Sequence, residues 1–389
     1  MECKWCKNKL FDPIISFKDF PMYSSSVLKG TLLDENGLCY KYNFEITYCE
    51  CCGLIQQSVI PDMNIVYAFS KNEGVGKKWE NHYNAYASFI LKNKRSNNKY
   101  LEIGGGNLKV ANLLSNNGIK DISIVEIDKE ASTEKYKFYN NFFENIDFNK
   151  KYNCIYSSHV FEHISDFDKH IKKILDVLED NGYYYISLPN FQYWIENFFL
   201  NAFIQDHIVY PTENNIIGYL SNNFELISKD SFEDHSLFYC FKKISNEYNR
   251  KDVTISLENS KNTLHKYKNK LDSLDNFLDT KLKDVDQVYI FGSHIFAEIL
   301  LSLPALHNKN VVGILDNSII KQDKYLYYYN IYVSSPDIIK YVDTNNTKVI
   351  VFTGAYEIEI KDQINLLNPN VEIISSTEYN KYLETYESS

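Results

Sequence analysis

Six of the eight cysteines fall before position 53, and four of them form two pairs with a two-residue gap, Cys3-Lys4-Trp5-Cys6 and Cys49-Glu50-Cys51-Cys52. Four thiolates in two such pairs can close a tetrahedral shell around one Zn²⁺, leaving no open position for a substrate, so the expected role is structural. Cys51 could replace Cys52 in that count, but only Cys49 with Cys52 keeps the gap and sets Gly53 directly behind the pair. A thioredoxin-like redox role fits poorly, because Cys3 precedes no strand-to-helix turn of that kind.

A second cluster is built from glycine. Glu102-Ile103-Gly104-Gly105-Gly106-Asn107 follows an apolar run and precedes a helix expected from about Leu108. Glycines there let backbone approach a ligand where side chains would clash. One strand–helix unit later Glu126 ends the next apolar run, the place where an acidic side chain can hold both hydroxyls of a ribose. A nicotinamide cofactor calls for G-x-G-x-x-G spacing, whereas an acidic residue opening the glycine motif suits a ligand that carries an amino-acid cation. The expected cofactor is therefore S-adenosylmethionine, held by Glu102, Gly104, Gly105, Gly106 and Glu126. Two later phrases, Ser157-Ser158-His159-Val160-Phe161-Glu162-His163-Ile164 and Leu188-Pro189-Asn190, sit where loops at the carboxyl ends of parallel strands line a crevice. His159 and His163 are expected to bound the cofactor pocket; the other reading of His163 is a structural histidine at a helix start.

These groups need a frame. Residues 1–84 read as a loop-rich, metal-stapled module. From about Tyr100, apolar runs alternate with amphipathic segments: Tyr100–Ile103, Ile122–Glu126, Tyr152–Tyr156 and Tyr183–Ile186, then Phe224–Ile227 and Ser236–Phe241 as an antiparallel hairpin. This pattern predicts an α/β Rossmann-like domain over 85–245. Leu264, Tyr267, Leu271, Leu274 and Phe277 recur at helical spacing within a polar connector over 246–286. A second Rossmann-like α/β domain follows over 287–389, with strands at Val288–Gly292, Val311–Asp316 and Lys348–Phe352.

A chain of 389 residues with 44% hydrophobic and 24% charged residues suits several globular cores. Its formal charge of −10 argues against nucleic acid as a partner, since phosphate backbones need a concentrated basic face. Met1-Glu2-Cys3-Lys4 opens no signal-peptide pattern, and no apolar run is long enough to span a bilayer. A cytoplasmic protein with no membrane partner is expected, a compartment where clustered cysteines bind metal more often than they pair.

The whole pattern resembles the sugar C-methyltransferases, which join an N-terminal zinc-binding domain, a class I methyltransferase domain and a C-terminal Rossmann-like domain. The resemblance rests on Cys3, Cys6, Cys49, Cys52 and Gly53, on Glu102-Ile103-Gly104, on Asp206-His207, and on Phe291-Gly292-Ser293, Leu315-Asp316-Asn317 and Ser335-Pro336. It implies methylation of a carbon beside the ketone of a nucleotide-linked sugar. Such a carbon reacts only after its proton is removed and the enolate charge is stabilised. The family's Tyr-x-Glu-His phrase matches Ile204-Gln205-Asp206-His207 here, which implies His207 as base with Asp206 orienting it. Tyr67, in Tyr67-Ala68-Phe69-Ser70, matches an aromatic segment near the sugar and is implied as donor to the enolate oxygen. Ile204 replaces the family's tyrosine, and Leu108 its last glycine. Those departures leave O- or N-methylation, or a non-catalytic binding protein, as the competing expectations. Tyr23 and His235 are lesser candidates for the sugar pocket.

Overall fold

The computed structural model describes residues 1–68, 76–92, 99–128, 133–249 and 257–386. The first stretch is less loop-rich than its composition predicts. Strands β1 (Ile15–Pro21), β3 (Lys41–Tyr48) and β4 (Ile55–Gln57) form an antiparallel sheet, while the short β2 (Ser26–Val27) leaves it for another. β3 alternates from Lys41 to Ile46, burying Tyr42, Phe44 and Ile46 and turning Lys41, Asn43 and Glu45 outward, the period expected of a half-buried strand; Thr47 and Tyr48 at its end are both buried. Phe44 pairs with Phe17 and Ile46 with Ile15, so one face carries an apolar ladder.

The second sheet holds β5 (Lys99–Ile103), β6 (Asp121–Val125), β7 (Lys137–Tyr139), β8 (Tyr152–Ser158), β9 (Leu178–Pro189), β11 (Phe224–Phe232) and β12 (Ser236–Lys243). Between them β10 (Val209–Tyr210) adds a fourth strand to the first sheet, beside β4. The order β11-β12-β9-β8-β5-β6-β7 is parallel from β9 to β7, and the hairpin β11–β12 closes it antiparallel, as its sequence predicted. The chain runs outward in opposite directions from β5 and β8, which opens a crevice at their carboxyl ends. β7, a strand not read from the sequence, is only three residues long.

The third sheet has the order β18-β17-β13-β14-β16-β15-β2, from β13 (Gln287–Phe291), β14 (Val311–Leu315), β15 (Lys324–Leu326), β16 (Ile331–Ser334), β17 (Thr347–Val351) and β18 (Glu372–Ser375). A long helix, Leu257–Lys281, precedes it and buries all five of the predicted apolar positions. Burial of that stripe is what stabilises so polar a helix. The sheets do not respect the stretches expected from sequence: β2 and β10 each serve a sheet outside their own stretch, and the helix Lys77–Leu91 runs through the 84/85 boundary.

Candidate active site

The four thiols of the two cysteine pairs meet in one buried cluster, with Cys3 Sγ 3.6 Å from Cys52 Sγ and Cys6 Sγ 3.3 Å from Cys49 Sγ. Bonds of about 2.3 Å to a tetrahedral zinc would separate the sulfurs by about 3.8 Å, so the set fits that ion with little movement. Cys51 stays outside the group, and its backbone N–H donates to Cys49 Sγ at 3.3 Å. Gln56 Nε2 donates to Cys3 Sγ at 3.2 Å. Its neighbour Gln57 donates from Nε2 to the carbonyls of Gln205 (2.8 Å) and His207 (2.7 Å). One dipeptide of β4 thus ties the thiol cluster to the Asp206-His207 phrase. Gln205 Nε2 in turn donates to Glu298 Oε2 at 2.9 Å, anchoring the same phrase to the C-terminal part of the chain. Trp5, inside the first cysteine pair, packs against Phe161, Phe167 and Tyr219 of the central sheet's flank.

The glycine loop turns as its composition requires. Gly104 has φ +73°, and a Cβ there would lie 2.4 Å from Val160 Cγ2; one on Gly105 would lie 2.4 Å from Ile124 Cγ2. Glu126 holds the loop from the next strand end: its Oε2 accepts from the Gly106 N–H at 2.7 Å and its Oε1 from the Asp128 N–H at 3.0 Å. Glu102 lies beneath the loop, fully enclosed, accepting from the Tyr156 hydroxyl at 3.3 Å. Burial pushes its carboxyl up to about 8, against the lowering effect of that hydrogen bond. Leu108, standing where a glycine was expected, takes the left-handed conformation at φ +61° and opens the helix Lys109–Asn116.

Val160, which closes on Gly104, leads directly into a cluster of titratable groups. The Tyr67 hydroxyl lies 3.0 Å from His163 Nδ1, which is 2.8 Å from the Asp206 carbonyl and 3.8 Å from Asp206 Oδ2. The His163 and His207 rings stand 4.9 Å apart. So Tyr67, His163, Asp206 and His207 come together, with His163 among the group expected on the reacting side. His207 is the deepest, 6% exposed and packed against Phe191 and Tyr210; burial holds its imidazole well below the ordinary histidine range and therefore neutral. Phe69 and Ser70 of the aromatic segment lie outside the described residues.

At the centre of this cluster is Glu162, a residue the sequence reading passed over. Its carboxylate is fully buried, and neither oxygen has a hydrogen-bond partner. Oε1 lies 3.8 Å from His207 Nε2, 4.0 Å from His163 Nε2 and 3.5 Å from His159 Nδ1. Burial pushes the Glu162 carboxyl up to about 7, with His163 opposing. His159, at φ +54°, stands between this group and a second one formed with His82 and His235 under Trp79. In that second group His159 Nε2 and His235 Nδ1 both reach Ser236 Oγ (2.9 and 2.7 Å), and His82 Nε2 reaches Ser187 Oγ (3.0 Å). Burial holds His82 down to about 3 and His235 to about 4. Tyr23 stands edge-on to Tyr327.

Residues 78–229 match the family model of a methyltransferase domain. This part of the chain is a methyltransferase domain. None of the curated proteins compared matches the chain. Among solved structures, a methyltransferase from Clostridium acetobutylicum is 15% identical, with 41% of this chain and 92% of that one aligned and a TM-score of 0.36. The N-methyltransferase NodS from Bradyrhizobium japonicum, solved with S-adenosyl-L-homocysteine, is 10% identical over 44% of this chain and 90% of its own, TM-score 0.37. The 1,6-didemethyltoxoflavin-N1-methyltransferase from Burkholderia thailandensis is 12% identical over 43% and 78%, TM-score 0.34. The methyltransferase domain has the Rossmann-like α/β fold expected for class I, with Val160, which faces Gly104, linking the glycine loop to the Glu162 cluster. Among the described residues no helix is long and apolar enough to cross a membrane.

Proposed function

We propose that the enzyme methylates a carbon beside the ketone of a nucleotide-linked sugar. The observation that carries this reading is the convergence of Tyr67, His163, Asp206 and His207 at the strand ends next to the glycine loop. A hydroxyl donor, a neutral imidazole and an acid in one pocket are what removal of a carbon-bound proton asks for. S-adenosylmethionine supplies an electrophilic methyl group when bound; Glu126 takes its ribose, and Gly104 to Gly106 pass beneath its amino-acid and sugar parts.

His207 is the base in this reading. Its Nδ1 has no partner within the protein and is the acceptor atom, while Nε2 faces Glu162. Tyr67 donates to the oxygen on which the enolate charge gathers. Asp206 fixes His163 through its backbone carbonyl, and Gln57 and Gln205 fix the segment that carries the base. The cysteine cluster holds one structural zinc in this scheme, and the C-terminal sheet encloses the nucleotide end of the substrate.

The test is a product spectrum. Incubation with S-[methyl-¹³C]adenosylmethionine and TDP-linked 4-keto sugars should give a carbon-bound methyl by NMR, and His207→Ala should lower turnover by roughly 10² to 10⁴ while cofactor affinity holds. Oxygen- or nitrogen-bound methyl would replace the carbon-acid mechanism with direct transfer.

A further inference from the structure

We infer a second metal site, distinct from the thiol cluster, in which Glu162, His163 and His207 bind a borderline divalent cation of the zinc type. This rests on the functional reading only for its consequence; the site itself rests on geometry. One donor atom from each of the three residues lies within 4.8 Å of the others, and the central one is a buried carboxylate oxygen that accepts no hydrogen bond from a neighbouring side chain. Desolvating both oxygens of a carboxylate without a partner is costly, and native interiors compensate such groups. The imidazole nitrogens 3.8 and 4.0 Å from Oε1 are too far to do so by hydrogen bonding.

A cation between them solves the problem. Bonds of about 2.0–2.2 Å to nitrogen and carboxylate oxygen place tetrahedral donors about 3.4 Å apart; the two carboxylate-to-imidazole separations, 3.8 and 4.0 Å, lie close to that, and all three donors fall within 4.8 Å of one another. The outer nitrogen of His163 supports the assignment. Nδ1 donates to the Asp206 carbonyl, which fixes the tautomer and turns the Nε2 lone pair toward Glu162, the arrangement that metal-bound histidines adopt. Two neutral imidazoles and one carboxylate suit zinc or cobalt rather than magnesium or calcium. Three protein ligands leave a position for water or for an oxygen of the substrate. His159 Nδ1, 3.5 Å from the same carboxylate oxygen, flanks the site.

The consequence is exclusive use of His207. A neutral imidazole has one nitrogen lone pair, so with Nε2 on a metal Nδ1 carries the proton and accepts none. Metal in this site therefore arrests proton removal.

The experiment counts metal directly. Full-length protein, loaded at the cysteine cluster, is dialysed against Co²⁺ and separately Zn²⁺, and bound metal is measured by elemental analysis alongside the cobalt spectrum. Wild type should gain one equivalent whose cobalt bands lack thiolate charge transfer, and Glu162→Gln should weaken that equivalent at least about 100-fold, more than loss of an outer partner does. Cys49→Ala should lose only the thiolate-bound equivalent. A wild type with no second equivalent, or a Glu162→Gln or His207→Gln variant that keeps it, overturns the site. In an assay of α-proton exchange, the second equivalent should stop exchange and a chelator should restore it. Metal bound without effect on exchange would overturn the exclusive use of His207 and leave the counted site standing; absence of any methyl or exchange activity would fault the functional reading alone.

Discussion

Replacing Glu126 probes the cofactor site most directly, because its carboxylate does two things. A carboxylate offers about four lone-pair positions; the N–H groups of Gly106 and Asp128 occupy one on each oxygen, at 2.7 and 3.0 Å. Two remain, matching in number the two hydroxyls of the ribose proposed to bind there. Hydrogen bonds to a charged group contribute roughly 1.5–3 kcal/mol each before water compensates, so losing both ribose bonds in Glu126→Ala should cost about 2–4 kcal/mol. At about 1.4 kcal/mol per decade that is roughly a 30-fold to nearly 1,000-fold weaker complex. Glu126→Gln keeps the volume and one acceptor oxygen, but its amide must face one of the two backbone N–H donors; about tenfold weakening is expected. Calorimetric titration with S-adenosylhomocysteine measures both without turnover. An Ala variant within threefold of wild type, with thermal unfolding unchanged, would refute the ribose assignment.

Cys49→Ala should release zinc and lower stability, whereas Cys51→Ala should keep one zinc per chain, both read by elemental analysis. Because Gln56 and Gln57 join that cluster to the Asp206-His207 segment, zinc loss should also depress turnover, checked by activity before and after chelation and re-addition. His82 and His235 are held down to about 3 and 4, so the folded state resists protonation that the unfolded chain accepts near 6.5. Stability is therefore present above that value and lost as pH falls toward 4, about 2 kcal/mol per group by pH 5; His82→Gln should flatten the midpoint of thermal unfolding between pH 7.5 and 5. Glu298, raised to about 8 by burial, has the opposite sign. Its contribution is intact below about 4.5 and declines as pH rises toward 8, so Glu298→Gln should gain thermal midpoint on wild type at pH 8.5 and little at pH 5.

Much of this was legible in residue spacing. The cysteine gaps marked the thiol cluster, the alternation of apolar runs marked the parallel sheet, and the periodicity of Leu264 to Phe277 marked the long helix. What stayed hidden was non-local. Ser26–Val27 and Val209–Tyr210 are too short to carry an alternation signal and become strands only because a distant edge accepts them. Glu162 reads as an ordinary surface carboxylate until the fold encloses it among His159, His163 and His207. Gln57 gave no signal either, since nothing in a glutamine announces which carbonyls it will hold. Leu108 is a departure the sequence did show; its φ of +61° means the glycine's conformation was kept without the glycine.

The pairing of β2 with β15 also bears on how the chain matures during synthesis. Ser26 donates to the Lys321 carbonyl 295 positions later, beside the register Val27–Tyr325 and Ser26–Leu326. At about 5–20 residues per second, the ribosome needs roughly 15–60 s to deliver that partner after the segment emerges. Throughout that interval the Ser26–Val27 edge waits for a strand not yet made, whereas the surfaces that cover Trp5 are complete once Tyr219 has emerged. Until then the nascent chain carries an unpaired strand edge, the kind of surface that invites wrong pairing.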